Sequence, residues 1–401
     1  MTARTDLLII GAGPFGLAAA AWAGRNGVDY VIAGKPMGFW KEHMPAGMLL
    51  RSGSDWHLDP SGECTIDRFR EMRGPNGNGN TGTEPISLEF YLEYAKWFQE
   101  QHRIDVNPAL VHQLDLADGA SLTFRATMDN GDVIIASRVV VAVGFEYFKC
   151  LPQAIVDRLP PGRFSHTCDL VDFAALKGRR CLIVGGRQSA FEWAALIHEA
   201  GAAAVHITHR HDSPAFQAAD WSWVMALAEK TLDEPDWYRR LSPDEQKALS
   251  RRFWVEGRLK IEPWLESRIR QKTIAVWPRT ELVACEVLPG GDLRVQLEPH
   301  QIVEVDHIVL ATGYAVRIDQ VPFLRRGNIL SRLEVTDGFP ALDEHFQTSV
   351  PNLFITSMAA AQLFGPFVAF TLSARISAAL IGRAIANPKQ PQNSRGSQRI
   401  N

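Results

Sequence analysis

Cysteine is scarce in this chain and poorly placed for chemistry. The five residues, Cys64, Cys150, Cys168, Cys181 and Cys285, are odd in number and scattered, and no two of them make a C-x-x-C. That spacing argues against a redox-active dithiol and against a thiolate zinc site, so buried, unreactive thiols are expected. A long hydrophobic run is also missing, since none reaches the roughly 18 residues that a transmembrane helix needs. The N-terminus shows no basic leader with an apolar core and cleavage site, so a cytoplasmic location is expected. Neither charge dominates: 42 Lys and Arg against 45 Asp and Glu give a net charge of −3. Such a balance gives no reason to expect nucleic acid or a membrane surface as partner. The 12 histidines include the pair His209 and His211, but that spacing on a strand-end loop with no acidic cluster is a poor ligand set. No metal is expected, and no Ser-His-Asp arrangement stands out.

What is present is a strand, a tight turn and a helix at the start of the chain. "DLLII" (6–10) is a continuous apolar run suited to a parallel strand buried on both faces. "GAGPFG" (11–16) turns the chain, and "LAAAAWAGRNG" is a small-residue helix that a glycine ends. "DYVIAG" (29–34) follows as a second strand at βαβ spacing. In such units the first glycine makes the turn and the second lets backbone approach a pyrophosphate. The third lets helix and strand pack closely, and the phosphates sit on free N–H groups at the positive helix end.

Further along, "GPNGNGNTGT" (74–83) reads as a surface loop and "ISLEFYLEYAKWFQEQH" as an amphipathic helix. Residues 104–144 alternate like a small antiparallel sheet with Asp129-Asn130-Gly131 as its hairpin turn, ending in the buried strand "RVVVAVG". A new unit opens near Cys150 with "LPPGRFSHT". Its strand "CLIV" runs into "GGRQSA" (185–190) and a helix, the second Gly-led βαβ unit of the chain. Two such units suggest two nucleotides. Residues of about 213–272 form a helical insertion carrying Trp221, Trp223, Trp237, Trp254 and Trp264, which core packing explains more readily than ligand stacking. "HIVLATGY" closes the region as a strand. "NLFITSMAAAQLFGPFVAFTLSARISAALIGRAI" reads as strand, loop and long helix, and the polar tail 387–401 as disorder.

Taken together, "GAGPFG" at 11–16, "AVG" at 142–144, "GRFSHT" at 162–167, "GGRQSA" at 185–190 and "ATGY" at 311–314 resemble the flavin-containing monooxygenases. That group includes N-hydroxylating and Baeyer–Villiger enzymes and shares a two-nucleotide fold with thioredoxin reductase. The resemblance runs from residue 5 to about 385. It implies an α/β fold of two Rossmann-like domains: a discontinuous FAD domain from residues 1–150 and 300–401, and an NAD(P)H domain inserted at 151–299 that carries the helical insertion. "AVG" and "ATG" would lie at the crossovers between them.

The sequence departs from the family pattern in three places. Pro160 and Leu170 replace the two aromatic positions of the monooxygenase signature, although Gly162, His166 and Thr167 fit. The family's Baeyer–Villiger version places Trp at the Leu170 position, so that subgroup is not favoured. His166 either orients a hinge or nucleotide loop or is simply packed and hydrogen-bonded. Gly34, followed by Lys35, stands where an acidic residue would bond the FAD ribose. Arg187 stands at the second glycine of the second turn, where a side chain obstructs backbone approach yet a guanidinium can pair phosphate oxygens. Gln188 and Ser189 fit the polar pair that follows the turn in this family. Arg210, beside Thr208 at the end of the next strand, is placed to pair the 2′-phosphate of NADPH.

The cofactor-binding residues expected on this basis fall into two sets. FAD takes Gly11, Gly13, Pro14, Phe15, Gly16, Trp40, Val111, Ala142, Gly144, Thr312, Gly313, Phe364, Gly365 and Phe367; NADPH takes Gly185, Gly186, Arg187, Gln188, Ser189, Thr208 and Arg210. Arg51 bonds either the flavin or a nicotinamide phosphate, or is a salt-bridged structural arginine. The loop "FWKEHMPAGMLLRSGSDWHLDP" (39–60) is expected beside the flavin, with Arg51 and His57 as catalytic candidates. The implied function is an FAD-dependent, NADPH-reduced monooxygenase that oxygenates a small molecule with O2 through a flavin peroxide. Two alternatives stand beside it: an FAD-dependent NAD(P)H reductase or dehydrogenase passing electrons to a partner or quinone, and a nucleotide-binding protein without turnover. Homo-oligomerisation stays open.

Overall fold

The computed structural model describes residues 1–74, 85–117 and 122–387. The loop expected at 74–83 and the disordered tail expected at 387–401 lie outside these residues, apart from Gly74 and Asn387. The apolar run at the start forms β1 (Thr2–Ile10), buried from Leu7 onward. Helix α1 (Pro14–Arg25) follows with Pro14 in its first turn, where the missing N–H leaves no bond unmade. Gly27, at φ 67, lets the chain reverse into β2 (Tyr30–Ala33). Helix α2 (Leu88–Gln101) starts at Ser87, whose hydroxyl accepts the Phe90 N–H. β3 (Val106–Asn107) then extends the sheet beyond β2. β4 (Val111–Ala117), β5 (Thr123–Met128) and β6 (Val133–Val141) form the antiparallel run expected, with Gly131 at φ 84 in its hairpin.

The second half adds β7 (Phe164–His166), β8 (Arg180–Val184), α3 (Gln188–Glu199) and β9 (Ala204–His209). Next come the insertion helices α4 (Ser222–Asp233) and α5 (Pro243–Arg258), then β10 (Ile274–Pro278). A three-stranded antiparallel sheet follows, β11 (Leu282–Val287), β12 (Leu293–Leu297) and β13 (Gln301–Val305). β14 (His307–Leu310), β15 (Leu353–Ile355) and α6 (Ala374–Ala386) end the chain. The first sheet has the order β3-β2-β1-β6-β5-β4. β6 divides one edge between two neighbours: residues 133–136 lie antiparallel to β5, and residues 139–141 lie parallel to β15. The second sheet is wholly parallel, in the order β10-β9-β8-β14-β7. Its strands are rich in buried Val, Ile and Leu, as strands covered on both faces are.

Two features correct the sequence reading. β13 pairs with β12, and β14 joins the second sheet beside β8, so the chain returns to the first sheet only at β15 and the division drawn at residue 300 moves past 310. The insertion, although it interrupts the second unit, packs its Val224, Ala228, Trp237 and Phe253 into the core of the first. It therefore bridges the two units.

Candidate functional site

The first glycine turn assigns a separate task to each glycine. Gly11 has φ 107, and a Cβ there would lie 2.4 Å from the Ala142 carbonyl oxygen. A Cβ on Gly16 would lie 1.8 Å from the Gly11 carbonyl oxygen, so helix and strand meet without room for a side chain. A Cβ on Gly13 would meet nothing within 4 Å. Gly13 is also the N-cap of α1, where no side chain caps the helix and no acidic residue occupies the first turn. Free N–H groups at a positive helix end thus face open space, which suits a pyrophosphate. Gly34 has its own cause: at φ 136 it lies against this turn, and a Cβ would stand 3.2 Å from the Ala12 nitrogen. An acidic side chain has no place there. Lys35 beside it is paired with Glu42 at 2.8 Å.

The second turn is built differently. Gly185 (φ 150) repeats Gly11, with a Cβ there 2.5 Å from the Ala311 carbonyl oxygen. At Gly186, however, a Cβ would lie 2.5 Å from the His209 side chain, so the close packing falls one residue before the position of the missing glycine. Arg187 caps α3 in extended backbone. Burial pulls its guanidinium down to about 10, and the charges of Arg258 and Arg210 add to the effect. Arg258 comes from the last turn of α5 and is itself shifted down by burial. None of these three guanidinium groups has an ion pair or hydrogen bond among the described residues. Three unpartnered guanidiniums in one wall have the chemistry to pair a multiply charged anion. Beside them the buried His209 Nε2 hydrogen-bonds nothing among the described residues.

A single cavity of about 1040 Å³ runs past both turns. Its wall includes Gly11, Gly13, Pro14, Phe15, Trp40, Val111, Ala142, Gly144, Gly185, Gly186, Thr208, Arg210, Thr312 and Gly313, as expected residues, together with Arg187, Gln188, Ser189 and Arg51. Arg258, Trp221, Phe253 and Ser357 also line it and were not foreseen as site residues. Ser357 takes φ 66 without being glycine, and its buried hydroxyl pairs with nothing among the described residues. That combination leaves a strained residue with a hydroxyl able to bond a ligand in the cavity. The two crossovers run side by side: Cys150 N–H donates to the Gly313 carbonyl at 2.9 Å and Ala315 N–H to Phe148 at 2.8 Å. His166 is held at this seam, its Nε2 3.1 Å from the Gly313 carbonyl oxygen, so it is packed and hydrogen-bonded there.

Several expected residues sit elsewhere or are already engaged. Arg51 ion-pairs with Glu262 at 2.8 Å and donates to the Gly257 and Lys260 carbonyls, so three of its five N–H groups brace loop 39–60 on the insertion. His57 is off the cavity wall and buried, its Nδ1 accepting the Asp59 N–H at 3.2 Å, and burial pushes it down to about 4. The Gln188 side chain is engaged at the cavity wall: its amide donates to Glu192 and its carbonyl accepts the Glu262 N–H. The Thr208 hydroxyl is spent on the Thr280 carbonyl. Gly16 stands behind the turn. Phe364, Gly365 and Phe367 are off the cavity wall, which Pro366, Ala369, Phe370 and Thr371 supply instead. Phe364 stacks on Phe346 at 3.9 Å and Phe367 lies parallel to Trp237 at 6.4 Å. Phe364 ends one helical turn (361–364), Gly365 at φ 95 breaks it, and a 3-10 turn follows (366–369); Phe364 and Phe367 are both buried in the core. Of the thiols, Cys168 and Cys181 are buried, which raises them to about 11 and about 12, and Cys64, Cys150 and Cys285 are half-buried.

A protein-family profile described as pyridine nucleotide-disulphide oxidoreductase matches residues 8–239. An FAD-dependent urate hydroxylase of Xanthomonas campestris pv. campestris is 26% identical over 209 residues, 50% of this chain and 44% of that protein. A ferredoxin–NADP reductase of Ralstonia pickettii is 28% identical over 244 residues, 58% of each. The chain thus spans about half the length of the curated relatives it matches. Among solved structures, an ornithine N-hydroxylase of Kutzneria sp. 744 superposes with a TM-score of 0.80 at 14% identity, covering 96% of this chain and 100% of that one. At that identity the likeness is one of fold. No helix among the described residues is long and apolar enough to cross a membrane.

Proposed function

The chain belongs to the pyridine nucleotide-disulphide oxidoreductase family, and from that premise we propose that it is an FAD-dependent, NADPH-reduced monooxygenase of a small molecule. The observation that carries this reading is the wall of the cavity. The insertion between β9 and β10 contributes Trp221, Phe253, Gly257 and Arg258 to it, and Arg51 ties that insertion to the loop after β2. A reductase that serves a protein acceptor needs its flavin within reach of that partner. A cavity walled by the insertion and that loop suits a small substrate.

The residues present fit both cofactors. FAD fits the open cradle at Gly13 and the unmet hydroxyl of Ser357; NADPH fits the unpaired Arg187, Arg210 and Arg258 and the unmet His209 Nε2. Bound FAD would supply the hydride acceptance and oxygen activation that side chains cannot. The chain's own part is positional. The N–H groups at the start of α1 hold the FAD pyrophosphate, and the arginines hold the phosphates of NADPH. On this division the first sheet carries FAD, and the residues between the crossovers, about 151–310, carry NADPH.

Purified protein tested with NADPH, oxygen and reduced-ferredoxin formation separates the readings. The proposal expects a yellow protein that NADPH reduces, with oxygen consumed and no ferredoxin or quinone reduced in preference. Electron delivery to ferredoxin or a quinone faster than to oxygen would establish the reductase. Bound FAD that NADPH does not reduce would establish a binding protein without turnover.

A further inference from the structure

We propose that Trp56, Trp221, Phe253 and Phe370 form the substrate compartment of this cavity, and that the group they hold is uncharged and aromatic. The inference rests on the monooxygenase reading and names the substrate class for it. The four rings come from three separate segments: the loop after β2, the insertion helices and the stretch before α6. They close on one another with centroids 6.0 Å apart for Trp56 and Trp221, 5.9 Å for Trp56 and Phe370, 5.7 Å for Trp221 and Phe253, and 5.5 Å for Phe253 and Phe370. All four face the cavity. Tilted and edge-on contacts of this kind extend naturally to one more flat ring.

Charge decides what that ring carries. Aromatic walls also attract ammonium groups through the ring faces. Here the Trp221 face already holds a cation, since the Arg51 guanidinium lies 5.5 Å from its centroid. The carboxylate beside this wall, Glu262, is taken by Arg51 at 2.8 Å. An ammonium entering the compartment meets the Arg51 guanidinium, whose own carboxylate partner is already engaged, and loses its hydration as well. One polar contact remains on offer: Trp221 Nε1 is buried and hydrogen-bonds nothing among the described residues. A ligand that brings an acceptor beside its ring satisfies that donor.

Two probes with one ring and different charge test this: acetophenone, uncharged with a carbonyl acceptor, and benzylamine, an ammonium at pH 7. Isothermal titration calorimetry on the flavin-loaded protein reads binding without requiring turnover. Acetophenone is expected to bind saturably and at least about tenfold tighter than benzylamine. Trp221→Phe keeps a ring and deletes the donor, so acetophenone should weaken about three- to tenfold while benzylamine stays as it was. Phe370→Leu should weaken acetophenone as well, and serves where one of the two variants fails to fold. Benzylamine binding as tightly as acetophenone, no saturable acetophenone binding, or both variants binding like wild type would overturn the compartment. Acetophenone binding to a protein that reduces ferredoxin in preference to oxygen would leave the compartment standing and sink the monooxygenase reading instead.

Discussion

The two glycine turns solve the same problem by different physics. The first works by absence: Gly16 lets α1 touch the backbone of the turn, and Gly13 leaves a space that N–H groups face. The second has a Cβ at the matching helix position, Ala190, and an arginine where the open space would be. Its tight contact has moved to Gly186, against His209. Backbone N–H groups read any phosphate, whereas a cluster of Arg187, Arg210 and Arg258 reads the amount of negative charge. The helices differ in the same sense. α1 buries alanines and no titratable group, while α3 buries Glu192. A permanently held cofactor fits the first turn, and an exchanging, highly charged one fits the second.

The largest effect expected from breaking this contrast is at Gly16. A Cβ placed 1.8 Å from the Gly11 carbonyl oxygen forces helix and strand apart. Gly16→Ala should therefore cost more than about 4 kcal/mol, seen as a large drop in melting temperature or loss of soluble protein. Gly13→Val, projecting into open space, should melt near wild type and come off the column without FAD. A Gly16→Ala protein of normal stability, or a yellow Gly13→Val protein, would overturn these assignments.

Next in size is Arg187. Its guanidinium is desolvated and has no carboxylate partner, so the geometry favours phosphate pairing over a steric block. Arg187→Ala and Arg187→Gly should then both weaken NADPH and NADH together, by about 1.5–3 kcal/mol or roughly 10- to 150-fold, with FAD content unchanged. Tighter binding in Arg187→Gly would show that the arginine blocks the site.

The contrast also explains what the sequence could and could not convey. Both turns were legible, because a buried strand, glycines at fixed spacing and a following helix are local signals. Arg258 was not. It lies 71 positions from Arg187, on a helix whose periodicity says nothing of which unit it leans on. The bracing of Arg51 is illegible for a related reason: its partners Glu262, Gly257 and Lys260 lie more than 200 residues away. Phe364 and Phe367 turn into the core while Pro366 and Phe370 line the cavity, because the break at Gly365, φ 95, sets the facing of this segment and no periodicity conveys it. Gly34 is an absence that only packing explains, because its neighbour is the backbone of a turn more than twenty residues earlier.

A third expectation concerns Glu192, the carboxyl that α1 has no equivalent for. Burial raises it to about 7, although Gln188, Arg268 and the Leu49 N–H partly offset this. Its ordinary value is about 4.3, so the folded state binds the proton more tightly than the unfolded chain does. Its stabilising contribution is then full below about pH 4.3 and is lost as pH rises through about 7. Glu192→Gln, which cannot ionise, should gain stability relative to wild type on going from pH 5 to pH 8, by on the order of 2 kcal/mol. Denaturant titrations at the two pH values measure this, and a difference that does not change with pH would mean that Arg268 holds the carboxylate ionised throughout.

The smallest effect is expected at Arg210, and it separates the members of the arginine cluster. Arg210 is exposed at the end of β9, while Arg258 is half-buried at the end of α5 and approaches from the insertion. Water and salt screen an exposed charge, so its phosphate contact is worth about 1 kcal/mol or less. Arg210→Ala should therefore raise the Michaelis constant for NADPH no more than about fivefold, leave NADH nearly untouched, and lose even that effect at high ionic strength. Arg258→Ala, from a drier position, should cost NADPH more and keep its cost in salt. If Arg210→Ala instead weakens both nucleotides equally, it does not read the 2′-phosphate. If Arg258→Ala changes neither, the bridge made by the insertion serves the substrate compartment alone, and the second turn binds its nucleotide with Arg187 and its own strand.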